Sequence, residues 1–302
     1  MTYDVAIIGA GIAGASLGWV LRHRSDLRVV LIEMETAPGY HTTGRSAAFW
    51  VESYGGPGIV PLTRGSKRFF DAPPPGFCER ALLARRASLV IESPDEPGAL
   101  AREAAVFDAS GTVYRWLDAG EMAANPAAPM VRAAWRQRGI EEPDCFDIDV
   151  AALHQGYLRS AEIVTDAVVT GLSRQDGLWA IATKAGPIEA KLLVNAAGAW
   201  ADDVAAMAGA ARRGLMPLRR TMAVLETQPP PPADMPVVMD AAGKFYFKPD
   251  GGRLWLSPHD ESPDVAHDVR PDEIDLAVVI DRFEQVSPAR VVRLVSSWAG
   301  LR

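Results

Sequence analysis

The sequence predicts an α/β protein: a parallel sheet wound with helices, joined to an α+β domain on a mostly antiparallel sheet. Three observations predict it. Tyr3 to Ile8 is a short apolar run ending on Gly9, followed by helix formers from Ala13 to Arg24 and a second buried run, RVVLIE, at 28–33; that is a βαβ unit. The turn between them, Gly9-Ala10-Gly11-Ile12-Ala13-Gly14, fits GxGxxG and precedes an acid, Glu33, at the end of the next strand. Much later, KLLVN at 191–195 is another buried strand, whereas the stretch 216–256 reads as hairpin-linked strands. The first set defines a Rossmann-like domain.

The elements follow in order. Residues 34–57 are rich in Gly, Thr, Ser and His and predict a loop. Ile59, Leu62, Ser66 and Phe69 keep a helical face that runs to Phe70 and stops before the prolines at 73–75. From Leu82 to Gly139 short strands mix with Ala-rich helical pieces, one around Ala119 to Ala124. Asp147 is the expected N-cap of a helix with Val150, Leu153, His154, Tyr157 and Leu158 on one face. Ile163 to Val169 reads as a strand, and Asp176-Gly177 as a hairpin turn before Leu178 to Thr183. A helix follows from about Ala201 to Ala208, and four prolines at 229–232 end the next segment. Phe245 to Lys248 and Leu254 to Leu256 are strands. Pro271 marks N1 of a helix to about Val286, and Arg290 to Val295 is a last strand. The expected division is discontinuous: 1–83 and 143–219 form the nucleotide-binding domain, and 84–142 and 220–302 form the second.

Composition narrows the function. The 302 residues are 48% hydrophobic and 23% charged, with a net charge of −7. This excludes extensive disorder, and an acidic chain without basic runs disfavours nucleic-acid binding. The two cysteines, Cys78 and Cys145, have no CxxC partner and no histidine at metal spacing, so neither a disulfide scaffold nor a metal site is expected, and a cytoplasmic setting fits. Val5 to Leu21 is uncharged, but Asp4 precedes it where a basic segment would be, and Gly9, Gly11, Gly14 and Gly18 interrupt it; no integral membrane segment is expected.

The glycine loop has a physical role at each position. Gly9 permits the tight turn, Gly11 lets the backbone approach a pyrophosphate, and Gly14 lets the helix pack closely on the strand. The helix N-terminus offers free N–H groups, with Ile12 and Ala13 in its first turn. Glu33, with Met34 beside it, would accept hydrogen bonds from ribose hydroxyls. This loop suits NAD and FAD equally. Rossmann dehydrogenases usually continue with alternating strands and helices, whereas this chain continues into HTTGRSAA at 41–48 and LVNAAGAW at 193–200.

At PGYHTTGRSAA (38–48), GFCE (76–79), DIDVAALHQGYLR (147–159), LVNAAGAW, FYFKPD (245–250) and WAGLR (298–302), the sequence resembles the FAD-dependent D-amino acid oxidase and glycine oxidase superfamily. It is most like the bacterial D-arginine dehydrogenase group of D-amino acid dehydrogenases. The resemblance implies a GR2-type FAD-binding domain in which Thr42, Thr43, Arg45, Ser46 and Ala47 wrap the ribityl and isoalloxazine part, Val169 touches adenine, and Ala197 and Gly198 line the cleft. It implies that Arg220 and Arg302 hold the substrate carboxylate and that Tyr54 and Tyr246 are active-site tyrosines. Two departures stand out: Ser88 replaces a glutamate that pairs with cationic substrates, and Phe49 replaces a histidine near the flavin. A D-amino acid with a neutral or apolar side chain is therefore the expected substrate, oxidised to an imino acid by hydride transfer to flavin N5. The electron acceptor is open between a quinone, oxygen and others. Relatives also continue beyond Arg302, so the chain is expected to be shortened. A glycine- or sarcosine-type amine oxidase, a non-catalytic nucleotide-binding remnant, and an NAD-dependent dehydrogenase are the alternatives.

Overall fold

The uncharged runs 5–8, 29–32 and 192–194 lie side by side at the centre of the first sheet, as expected of parallel strands in a wound sheet. In the computed structural model, which describes residues 2–302, strand β1 (Thr2–Ile8) pairs in parallel with β2 (Val29–Ile32) and with Gly186–Asn195, and helix α1 (Ile12–Arg24) links β1 to β2. Val5 lies opposite both Val29 and Leu192, so 191–195 shares the sheet of 3–8. Glu162–Val164 extends the parallel side. The hairpin Val169–Gln175 and Leu178–Thr183 completes the six strands antiparallel on the other side. Its turn residues Asp176 and Gly177 have φ of 50° and 82°, the paired left-handed conformation of a type I′ turn.

The second sheet has nine strands, contributed by 88–91, 115–117, 139–142, 218–228, 237–240, 246–250, 253–257, 262–263 and 290–301. It is antiparallel except for the pairing of Ser88–Ile91 with Val237–Asp240. The helix Glu273–Val286 covers one face: Leu276, Val279, Phe283 and Val286 recur at helical spacing and pack with Ala223, Leu225, Phe247 and Leu256. A three-stranded sheet of Phe49–Val51, Cys145–Ile148 and Leu83–Arg85 completes the strands. Among the described residues no helix is long and apolar enough to cross a membrane.

Several expected boundaries move for physical reasons. Asp147 lies in the strand Cys145–Ile148, its carboxylate paired with Arg86 and with Lys248 Nζ (2.8 Å), and the N-cap is Asp149, which accepts from Ala152 N at 2.8 Å. The helix expected from Pro271 starts two residues later, capped by Asp272 at Ile274 N (2.8 Å). The strand expected over 163–169 breaks at Asp166, whose φ is 52°, where Ala167 N turns to Glu33 O at 2.9 Å. The loop over 34–57 contains the strand Phe49–Val51, and the last strand runs to Leu301 against Leu218–Gln228.

Candidate active site

The phosphate-binding end forms where β1 turns into α1. Gly9 has φ of 99°, and a Cβ there would lie 2.4 Å from Ala196 O; one on Gly14 would lie 1.9 Å from Gly9 O. Both positions thus require glycine. The first i to i−4 bond of α1 runs from Ala15 N to Gly11 O (2.9 Å), so the amides of Ile12, Ala13 and Gly14 precede the helical ladder. Ile12 N donates to Thr43 Oγ1 at 2.9 Å. Gly11 supplies no side-chain cap, and no acid sits in the first turn. Such a terminus, with Ile12 and Ala13 exposed, fits an anionic pyrophosphate.

Glu33 is buried directly beside it. Its carboxylate accepts from Ala10 N (3.0 Å) and Glu35 N (3.1 Å), which fixes both oxygens next to the glycine turn. Half-buried Met34 follows. Glu33→Ala should weaken FAD by about 1–3 kcal/mol, the usual cost of removing a buried acceptor; a flavin-fluorescence titration checks this, and an unchanged Kd would contradict it. Val169 is half-buried, packed with the apolar cluster of Val30, Ile32 and Ala167 at the edge of the hairpin. Ala197 N is held by Asn195 Oδ1 (3.2 Å), and Gly198 turns away with φ of 54°.

The segment 39–48 joins this end to a cavity of about 650 Å³. Thr42 donates its hydroxyl to Leu301 O, while Ser46 Oγ accepts from Ala48 N at 3.0 Å. Thr42, Arg45, Ser46 and Ala47 all line the cavity. Arg45, expected to offer a cation to cofactor oxygens, instead donates to Val269 O (3.2 Å) and Ala299 O (3.0 Å) and pairs with Asp268, with its guanidinium over the Tyr40 ring. Its charge is therefore already matched, and the side chain ties this loop to the last strand.

On the cavity's far side Arg220, Arg302, Tyr54, Tyr246 and Phe49 come together. Arg220 donates from Nε to Asp260 O (2.7 Å) and from Nη2 to Glu261 Oε1 (3.1 Å); Arg302 Nη1 approaches the same Glu261 oxygen at 3.5 Å. Arg302 lies over the Tyr54 ring, 5.5 Å from its centroid. Tyr246 is buried, its ring edge-on to Phe49 at 5.6 Å, and its hydroxyl donates to Met222 Sδ at 3.2 Å. Burial raises its pKa, so the phenol stays protonated and able to donate. A thioether is a weak acceptor, so this hydroxyl is held loosely and is open to a stronger acceptor.

Ser88 departs from its expected role. It is fully buried in a strand, opposite Val237 and Glu142, its Oγ has no hydrogen-bond partner among the described residues, and it is absent from the cavity lining. The strand SLVI is buried throughout, so its first residue belongs to the sheet interior. Phe49 does line the cavity.

Sequence reasoning missed two groups. His259 lines the cavity with its ring 5.6 Å from that of Tyr246. Burial and the Arg220 and Arg302 charges lower its pKa to about 4, so it is neutral at pH 7. Glu142 is buried, and burial pushes its carboxyl up to about 7. A histidine two residues after the strand RLWLS at 253–257 was a visible signal; Glu142, remote in sequence from Ser53, gave none.

A glycine turn at a helix N-terminus, linked through the segment 39–48 to a cavity lined by two arginines, fits a protein that binds a dinucleotide beside a small anionic ligand. The protein-family model described as DAO, FAD dependent oxidoreductase, matches residues 4–302, and the chain belongs to that family. Its cofactor is FAD. The subunit HcnC of hydrogen cyanide synthase from Pseudomonas aeruginosa is 26% identical over 351 residues, covering 100% of this chain and 82% of the relative. Among solved structures, glycine oxidase from Geobacillus kaustophilus superposes with a TM-score of 0.81 at 22% identity, covering 100% of this chain and 82% of that one. The FAD-bound L-alpha-glycerophosphate oxidase of Mycoplasma pneumoniae gives a TM-score of 0.83 at 17% identity, covering 100% and 83%. These likenesses establish the fold.

Proposed function

We propose that the protein oxidises a D-amino acid with a neutral or apolar side chain to the imino acid, which water hydrolyses to a 2-oxo acid and ammonia. The observation that carries this reading is the meeting of Arg220, Arg302, Tyr54 and Tyr246 in one cavity that is continuous with the segment Thr42–Ala48. When bound, FAD supplies a two-electron acceptor. The chain's own residues do the rest. Arg220 and Arg302 hold the carboxylate, a planar anion suited to guanidinium donors. Tyr246 adds a neutral hydroxyl donor, and the remaining wall, with Phe49, Val51, Val90, Met222 and Met239, receives an apolar side chain and excludes water. No protein base is required if the amine binds neutral, so orientation is the main contribution.

The two-domain division at 1–83 with 143–219 and 84–142 with 220–302 is part of this reading, supported by the two large sheets, which follow those ranges except that Leu218 and Arg219 already belong to a strand of the second sheet. Free thiols at Cys78 and Cys145 support a cytoplasmic setting. The test is anaerobic mixing of flavin-loaded enzyme with D- and L-leucine, D-arginine, glycine and sarcosine. Flavin bleaching by D-leucine is expected. Bleaching only by glycine or sarcosine would replace the D-amino acid reading with the glycine- or sarcosine-type alternative, and bleaching by L-leucine alone would reverse the stereochemistry.

A further inference from the structure

Glu142 ends the strand Gly139–Glu142, held in register opposite Ser88, and its carboxylate is shut off from solvent. It makes three hydrogen bonds, all to one short stretch. Oε1 accepts from Glu52 N at 2.9 Å and from Ser53 N at 3.3 Å, and Oε2 meets Ser53 Oγ at 2.7 Å. The next residue is Tyr54, which lines the cavity and lies under the Arg302 guanidinium. Beyond it the chain turns through Gly55 and Gly56, with φ of 85° and 68°, so the backbone after Tyr54 is a tight glycine turn that is not itself in the sheet. Glu142 is not part of the cavity wall. A buried carboxylate costs several kcal/mol unless its oxygens are matched, and here that matching is done by the backbone and hydroxyl immediately before an active-site tyrosine.

We infer that Glu142 is a positioning residue for Tyr54, fixing the residues before it so that its ring is presented to the substrate beside Arg302. The inference rests on the reading of Tyr54 as a substrate contact. Glutamine should serve in its place: its carbonyl oxygen can accept from both N–H groups, and its amide can donate to Ser53 Oγ. Alanine leaves all three donors without their acceptor.

The experiment measures KM and kcat of the flavin-loaded enzyme with D-leucine for the parent, Tyr54→Ala, Glu142→Ala, Glu142→Gln and the double variant Glu142→Ala/Tyr54→Ala. Each alanine substitution should raise KM about tenfold, the double variant should stay within about twofold of Tyr54→Ala, and Glu142→Gln should stay within about twofold of the parent. An unchanged KM in Glu142→Ala, or a double variant near a hundredfold (independent effects multiplying), overturns the inference. An unchanged KM in Tyr54→Ala overturns the reading of Tyr54 instead. Amide hydrogen exchange over 52–56 gives a readout free of turnover: exchange should speed up in Glu142→Ala and return to the parent rate in Glu142→Gln, and equal rates in parent and Glu142→Ala overturn the inference. Should Glu142→Ala not fold, Ser53→Ala carries the same test. It should speed exchange at 53–56, and an unchanged rate overturns the anchoring.

Discussion

Arg220→Ala is expected to lower kcat/KM by about 2–5 kcal/mol of transition-state binding, for every amino acid the enzyme oxidises. The side chain is 13% exposed, so its charge acts across a partly dehydrated space. Nε and Nη2 are committed to Asp260 O and Glu261, while Nη1 has no hydrogen-bond partner among the described residues. That leaves Nη1, with two N–H groups, for a carboxylate, with Arg302 supplying a second cation. Removing Arg220 takes away a partner common to all amino acids, so the loss should be equal for D-leucine and D-methionine. Steady-state kinetics across a series of side chains checks it. A loss that varies strongly with side chain would place Arg220 in the side-chain pocket instead.

Glu142→Gln is expected to change how stability depends on pH. Burial raises the Glu142 carboxyl from its ordinary 4.5 to about 7. An acid with a raised folded pKa binds its proton more tightly when folded, so its stabilisation is complete below 4.5 and is lost as pH rises through 7. The linked loss is about 3 kcal/mol. His259 acts in the opposite sense: its folded pKa of about 4 against an ordinary 6.5 means stability is gained as pH rises through that window. Comparing Glu142→Gln with the parent cancels the histidine and leaves the carboxyl. Urea unfolding at pH 5 and pH 8 should show the variant gaining on the parent at pH 8. Parallel curves for the two proteins would mean that Glu142 titrates at its ordinary value.

Much of the nucleotide-binding half was legible because its determinants are local. A strand, a glycine turn and a helix lie within one short stretch, and Asp176-Gly177 carries its own turn geometry. The second half was less legible because its partners are distant. Phe49–Val51 has three residues, too few for a period to show, and becomes a strand only through pairing with Cys145–Ile148. Asp147 looked like a cap because it precedes a helical pattern; Asp149 took that place while Lys248, about a hundred residues on, claimed Asp147. Tyr54, Tyr246, Arg220 and Arg302 were found through motif resemblance, and the cavity lining includes all four. Ser88 was assigned in the same way, yet nothing in its neighbours distinguishes a pocket serine from one inside a continuous sheet.

The strand Arg290–Leu301 has a consequence for thermodynamic linkage. Its end is gripped by Thr42 at Leu301 O and Arg45 at Ala299 O, and Arg302, the next residue, lines the cavity. In the proposed reading, where Thr42 and Arg45 serve the cofactor and Arg302 the substrate, one strand joins the two sites. If loading one ligand stiffens that strand, the other binds to a chain already partly ordered, and the benefit is reciprocal. An unreactive carboxylate such as benzoate should then slow flavin dissociation by the same factor by which flavin tightens benzoate.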